Sequence, residues 1–475
     1  MKLTEEQQVI TDYVGNIEGE ELILVDSVAG SGKTTLLNAI AKTLHNEDAL
    51  YLAYNKAIAT NSAKKFPSNV DCRTTHSLAY RATVKPLGLK VGFFGTRQID
   101  ERIPYDDKQA LVDSIREFCL SSYLTYEEFA DNVPASDPSL ANKYLELMYQ
   151  SKIEATHDFY LKVFHLLLAN GEIDQVDYGL IMLDEAGDLN EVTLEIFKLL
   201  KGRVKVAVGD PYQNIYTFNH TINCFDKLQG QGTLFTLSKS FRVPVNISRP
   251  VESFCKKYLD ENMCFKGVEV KDTPIVTRGY ISRTNSGLIG KIIELNKDST
   301  PYGLVRKAQE IFKVPLMVAG FKYQGRIFDI AYKHLQDDID GWYENENNIR
   351  TSNPSLLGYL KSKYDQDISL SQAISIVMKF GKGTIFEAYA EAKDHENKKH
   401  DFTLLTAHSS KGLEFDEVIL APDMNSSIED LLPMLSSSTD YELTVPEKES
   451  LNLYYVACTR ALVNLRNAVH LPMGG

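Results

Sequence analysis

Ser27-Val28-Ala29-Gly30-Ser31-Gly32-Lys33-Thr34-Thr35 follows the apolar run Leu22-Ile23-Leu24-Val25 and precedes Leu36, Leu37, Ile40 and Leu44 at helical spacing. A buried strand, a glycine-rich turn and an amphipathic helix make a phosphate-binding loop. Backbone N–H groups at the helix start point at the anion, and the helix dipole favours negative charge there. Gly30 and Gly32 supply the turn, while Ser27 occupies a first position where glycine is usual. The expected phosphate-binding residues are Ala29, Gly30, Ser31, Gly32, Lys33, Thr34 and Thr35. Lys33 would reach the β- and γ-phosphates, and the Thr34 hydroxyl would ligate Mg²⁺. The bland alternative is a glycine-rich turn that binds nothing.

The chain has 475 residues, too many for one core, and about three domains are expected. Its 43% hydrophobic and 24% charged residues are those of a globular protein, and no apolar stretch is long enough to cross a membrane. The start, Met1-Lys2-Leu3-Thr4-Glu5-Glu6, does not read as a signal peptide, which leaves a soluble protein of the cytoplasm or nucleoplasm as the expectation. Six cysteines, at 72, 119, 224, 255, 264 and 458, form no CxxC pair, which predicts reduced and mostly buried thiols. A net charge of −13 excludes coating of nucleic acid by bulk electrostatics. It leaves room for a narrow groove that contacts a few phosphates and stacks bases.

Outward from the loop, Leu3–Gln7 opens a short helix; Gln7 is either an adenine-recognising amide or a surface side chain. Apolar runs end in Tyr54-Asn55-Lys56 and in Thr74-Thr75-His76. Strands alternating with helices predict a doubly wound parallel sheet, whose ligands sit at the strand C-terminal ends. Asn55, Lys56, Thr75 and His76 are placed there, with turn and cap chemistry as the alternative. Tyr178–Leu183 is a further strand that runs into Asp184-Glu185. Asp184 would hold Mg²⁺ through water, and Glu185 would orient or deprotonate the attacking water. After Val204–Val208, Gln213 is placed to sense a γ-phosphate, and Tyr216 and Phe218 are base-stacking or core rings.

With these motifs in order, the chain resembles a UvrD/Rep-type superfamily 1 DNA helicase, most of all the helicase portion of F-box DNA helicases and their compact phage and bacterial relatives. Leu50–Lys56, Thr74–Tyr80, Val208–Phe218, Leu237–Arg242, Thr406–Phe415 and Asn452–Ala461 carry the resemblance. It implies an α/β fold with two RecA-like parallel-sheet domains, each with a mostly helical insertion, and ATP with Mg²⁺ in the cleft between them. Arg242 and Arg460 would bring positive charge to the γ-phosphate from across that cleft, Phe241 would stack on adenine, Glu414 would contact the ribose, and Gly412 would also bind the nucleotide. Tyr54, Thr406 and His408 would join Asn55, Lys56, Thr75, His76, Tyr216 and Phe218 on DNA.

The expected divisions are 1–80, a helical insertion 81–150, and 151–235 for the first domain; then 236–336, a short insertion 337–400, and 401–475 for the second. Val314–Arg326 resembles a strand and glycine turn, Glu344–Asn348 reads as a linker, Leu453–Leu465 as a helix carrying Arg460, and 466–472 as a closing strand. Three departures from the family stand out. Gly187 replaces a usual Gln, Asn219-His220-Thr221 replaces Arg-Gly-Ala, and the second insertion is small. The implied activity is ATP-driven travel on single-stranded DNA, 3′→5′, with strand separation at single/double-strand junctions during replication, repair or recombination. A monomer, no membrane and accessory replication or repair proteins complete the expectation. The alternatives are a translocase that displaces proteins with little unwinding, and a nucleotide-gated DNA-binding module with negligible turnover.

Overall fold

A computed structural model describes residues 3–216, 221–270, 273–324, 327, 332–344, 355–365, 367–396, 398, 400–437 and 441–472. The chain divides into two compact units, Met1–Arg242 with Cys264–Val268, and Val243–Met263 with Glu269–Gly475.

The strands of the first unit are β1 (Glu21–Ser27), β2 (Ala49–Leu52), β3 (Val70–Arg73), β4 (Tyr178–Leu183), β5 (Leu189–Asn190), β6 (Gly202–Gly209), β7 (Thr221–Ile222) and β8 (Thr233–Leu237). Six of them form one parallel sheet in the order β3-β2-β4-β6-β1-β8, while β5 and β7 pair with each other, antiparallel. Both faces of the sheet are covered, which is why its strands read as continuous apolar runs. Along β1, Ile23 and Val25 pack with Leu36, Leu37 and Ile40 on one face. Leu24 faces the other way, with Leu50, Leu52, Ile181 and Leu183. Each such burial stabilises the unit by about 1.5–3 kcal/mol, so the strand that feeds the glycine turn is firmly held.

Between β3 and β4 the chain is helical, with Tyr105–Leu120, Tyr126–Asn132, Pro138–Tyr149 and His157–Ala169 as its main helices. Thr125, Asp137 and Thr156 cap the last three by accepting backbone N–H bonds. His157–Ala169 lies past residue 150 but before the sheet resumes at Tyr178. It buries Phe159, Leu161 and Phe164 in the same core as Leu50 and Ile181, so it serves as a layer on the sheet. Past β8, β9 (Lys239–Pro244) and β10 (Lys266–Val268) pair with each other. The first unit reaches Arg242, six residues beyond the expected start of the second body at 236.

The second unit holds β11 (Arg278–Ser282), β12 (Gly303–Leu304), β13 (Phe402–Thr406), β14 (Phe415–Leu420) and β15 (Ala461–Arg466), parallel and in the order β12-β13-β11-β14-β15. The described residues between β12 and β13 are mainly helical and share a core with the helix Asn285–Lys297. Two expectations are corrected here. Val314–Arg326 is not a strand and turn: Ala308–Gln324 is one helix, and 325–326 lie outside the described residues. Ile311, Phe312, Val318 and Ala319 are buried at helical spacing, and that face outweighs the turn signal of Gly320. The helix expected over Leu453–Leu465 ends at Cys458, and the closing strand is Ala461–Arg466, fixed by parallel pairing with β14. Residues 345–348 of the expected linker lie outside the described residues.

Candidate functional site

β1 ends at Ser27, whose Oγ donates to Gly209 O at 2.6 Å and ties the loop to the end of β6. Gly32 caps the helix Lys33–Thr43 in the left-handed region (φ 82°), which suits only glycine at low cost. Residues 240–242 then lie on the loop. Ser240 Oγ donates to Ala29 O at 2.7 Å, and Phe241 N donates to Gly30 O at 2.8 Å. A Cβ on Gly30 would stand 2.4 Å from Arg242 Cβ, so the loop and β9 approach too closely for any side chain there. Arg242, expected to reach the phosphates from the second body, instead belongs to the unit that carries the loop. Phe241 remains 42% exposed beside Gly32, open to a planar partner.

Gln7 is buried, not at the surface. Its Nε2 donates to Ser31 O and Gly32 O at 3.3 and 3.4 Å, and its Oε1 accepts from Thr4 N at 3.1 Å. In this arrangement its amide braces the loop from behind.

The Lys33 Nζ stands 3.5 Å from Glu185 Oε1. Burial acts to lower the Lys33 pKa, but the carboxylates of Glu185, Asp210 and Asp184 outweigh it and hold the ammonium above its ordinary value. Asp184 is buried; Tyr51 Oη donates to its Oδ2 at 2.6 Å and Glu185 N donates to its Oδ1 at 3.0 Å. Burial first, and the Glu185 charge second, push its carboxyl above the usual carboxylate range. Glu185 has φ 54°, a conformation that costs a non-glycine residue roughly 1–2 kcal/mol. Gln213 Nε2 donates to Asp210 Oδ2 at 2.7 Å, and both residues are buried.

The residues present fit a nucleotide with a hard cation. Ser31 Oγ is buried in the loop with no hydrogen-bond partner among the described residues, as a hydroxyl awaiting a phosphate oxygen would be. Thr34 is exposed on the first helical turn, and with Asp184 it supplies the all-oxygen donors that Mg²⁺ prefers. Among the described residues no group of three or more His, Cys, Asp or Glu forms a protein-only metal cage. A cation that takes its remaining ligands from water and phosphate needs none.

At the C-terminal ends of β2 and β4 lies a cavity of about 410 Å³. Tyr54, Thr75, His76 and Tyr216 line it together with Asp184 and Asp188, which brings four of the expected DNA contacts to one place. Burial lowers the His76 pKa, so its imidazole is neutral at pH 7. Asn55 and Lys56 are exposed and outside this lining; Asn55 Oδ1 caps the helix Lys56–Ser62 by accepting from Ile58 N at 2.9 Å. Phe218, Asn219 and His220 lie outside the described residues. A Cβ on Gly187 would meet Asp210 O at 2.3 Å, so the Gln usual at this position has no room while the two strand ends stand this close.

In the second unit, Thr406 caps the short helix Ala407–Ser410, and His408 Nε2 lies 3.5 Å from Glu449 Oε1. Gly412 (φ 84°) and Glu414 are exposed in the turn before β14. Arg460 is buried, with Nε donating to Val456 O at 2.9 Å and an Nη to Thr459 Oγ1 at 3.1 Å. Sequence reasoning missed Tyr51, which reads as one more core ring in a strand, and Asp210. The Asp210 signal was available: an aspartate before Pro-Tyr-Gln favours a turn in which its carboxylate bonds ahead.

Comparison with known proteins follows the same division. Residues 12–219 match an AAA domain, and residues 319–468 match a UvrD-like helicase C-terminal domain. F-box DNA helicase protein 1 of Schizosaccharomyces pombe is 25% identical over 97% of this chain and 56% of its own length. F-box DNA helicase 1 of Gallus gallus is 26% identical over 97% of this chain and 48% of its own. The chain thus spans about half the length of the curated relatives it matches.

Proposed function

The chain belongs to the UvrD-like superfamily 1 helicases, and from that premise we propose that it is an ATP-hydrolysing motor that travels on single-stranded DNA, 3′→5′, and separates strands at junctions. The observation that carries this reading is the placement of Asp184. Its carboxylate acts on Lys33 beside the phosphate-binding loop, and it also lines the cavity that holds Tyr54, His76 and Tyr216. One strand end therefore serves both a phosphate-facing cluster and a set of rings suited to bases.

In this proposal the nucleotide phosphates lie on residues 29–35, and Phe241 stacks on the adenine. Thr34 and Asp184 hold the magnesium, which when bound would neutralise charge on the phosphate oxygens. Lys33 exchanges the Glu185 carboxylate for phosphate, leaving Glu185 to orient the attacking water. Asp210 keeps the Gln213 amide aimed, and Arg242 meets the charge that develops on the transferred group. Arg460, with Gly412 and Glu414, supplies the second unit's share of nucleotide recognition; a cation in such a role is worth about 10³–10⁵ in rate. Tyr54 and Tyr216, with Thr406 and His408, grip the strand, and the motor acts as a monomer. No helix among the described residues is long and apolar enough to cross a membrane.

The test is steady-state ATPase activity with and without single-stranded DNA, beside Glu185→Gln. Strong stimulation by DNA is expected, with turnover at least about 100-fold lower in the variant while nucleotide binding persists. ATP binding with no DNA-dependent turnover would sink the motor reading. Strand displacement on substrates tailed at either end then reads polarity, and loss of the 3′-tailed preference would remove that part of the proposal.

A further inference from the structure

In the helical insertion of the first unit, residues 90–98 present one ring to solvent from a hydrogen-bonded backbone. Phe93 is 71% exposed, more than any other large apolar side chain among the described residues. Its neighbour Phe94 is buried and packs on Tyr144, with ring centroids 5.8 Å apart, which anchors the loop and turns Phe93 outward.

The backbone around the ring is clamped. Phe93 N donates to Glu154 Oε2 at 2.9 Å, and Gln98 Nε2 donates to Phe93 O at 2.8 Å. The same Gln98 amide accepts from Gly95 N at 3.0 Å, closing the turn with one side chain. A Cβ on Gly95 would lie 2.6 Å from Phe93 Cε1, so glycine is what lets the ring lie across the turn. Val91 bridges Ala155, and Gly92 N donates to Ala155 O at 3.0 Å. A ring carried on a clamped backbone leaves only its own side-chain torsions to be ordered when a flat partner covers it.

Two features say what that partner is. Lys90 and Arg97, three residues before the ring and four after, are both exposed cations on a chain of net charge −13. Asp158, three residues beyond Ala155, lines the cavity with Tyr54, His76 and Tyr216. By chain length the ring therefore lies within roughly 25 Å of that cavity. An exposed ring with exposed cations three and four positions away along the chain, on the same unit as further rings, is a combination suited to stacking a nucleobase while meeting phosphates.

We propose that Phe93 is a base-stacking site on the insertion, engaging an unpaired base of the DNA where single strand meets duplex. The assignment rests on the DNA-motor reading above and adds a contact that the phosphate loop and the Tyr54–Tyr216 cavity do not provide. The probe is a forked DNA carrying 2-aminopurine at its junction, compared with an unstructured single strand of the same length, with the full chain. Phe93→Ala is expected to weaken fork binding about tenfold, to weaken single-strand binding less, and to abolish the quenching of 2-aminopurine. Phe93→Trp should restore both, and Gln98→Ala, which loosens the clamp but keeps the ring, should give an intermediate loss. Fork affinity and quenching unaltered in Phe93→Ala would overturn the assignment and leave the ring to a protein partner. So would a Phe93→Trp protein that fails to recover. If the unsubstituted protein binds neither DNA, the motor reading itself falls, which the single-strand arm reports separately.

Discussion

Tyr51 carries more of the site's geometry than its place in a strand suggests. Its hydroxyl holds one oxygen of Asp184, Oδ2, while the Glu185 backbone holds the other. A carboxylate clamped at both oxygens meets a cation in one orientation. Tyr51→Phe keeps the packing and removes the donor, so a loss of about 1.5 kcal/mol in orienting the carboxylate is expected. The Mg²⁺ concentration needed for half-maximal binding of a fluorescent nucleotide should then rise about tenfold, with binding in chelator unaltered. An unshifted Mg²⁺ titration would reduce Tyr51 to a core ring. At this scale the sequence was most legible where spacing imposes chemistry, as at Gly30, Gly32, Lys33 and the Asp184-Glu185 pair. It was least legible where a side chain is recruited by folding. Tyr51 and Asp184 are 133 positions apart, and no local pattern announces their bond. Gln7 teaches the same lesson, since a helix-start glutamine gives no sign that it will be buried under the loop it braces.

Among the elements, the helix His157–Ala169 concentrates the most unusual burial. Lys162 is buried under the carbonyls of Ser121 and Tyr123, with Nζ 4.5 Å from the centre of the Phe118 ring, and burial drives its pKa down to about 8. One turn on, His165 is buried and held down to about 4, by burial first and then by Lys162 and Lys198. Its folded pKa lies below the unfolded value of about 6.5, so the unfolded chain binds the proton more tightly. The stability this contributes is present above pH 6.5 and is lost as pH falls towards 4. Integrated, the effect is about 3 kcal/mol at most. Melting midpoints measured across that window should fall in the unsubstituted protein and fall less in His165→Leu; parallel curves would contradict the assignment. The helix itself was hard to place from sequence, because His, Lys and Tyr among its buried positions blur the polar face that periodicity relies on. Over Val314–Arg326 the strand and turn came from the family resemblance alone, and the buried helical face of Ala308–Gln324, Pro315 included, overrides it.

At the level of the whole molecule, two parallel sheets with helical insertions were legible from the rhythm of apolar runs, because a sheet buried on both faces writes itself continuously into the sequence. Boundaries were less so. The first unit extends to Arg242 because Ser240 and Phe241 bond to the loop, a contact settled by folding and not by composition. The charge balance has a measurable correlate. With −13 overall, the protein should contact few phosphates, about three, and the logarithm of its single-strand affinity should fall with the logarithm of salt at a slope near −2. A slope steeper than about −5 would indicate a far broader electrostatic footprint than the composition allows.

The cysteines have a practical consequence. All six are free, and four of them, Cys119, Cys224, Cys255 and Cys458, are buried. Of the two that are partly accessible, Cys72 is pushed up to about 11 by burial and by Asp71, which leaves it a poor nucleophile at neutral pH. A maleimide dye added to the native protein would therefore find Cys264 first. Both accessible thiols lie in the unit that carries the phosphate-binding loop, so a fluorophore attached without any engineering reports on that unit alone. A donor–acceptor pair spanning the two units needs one new cysteine, and only one.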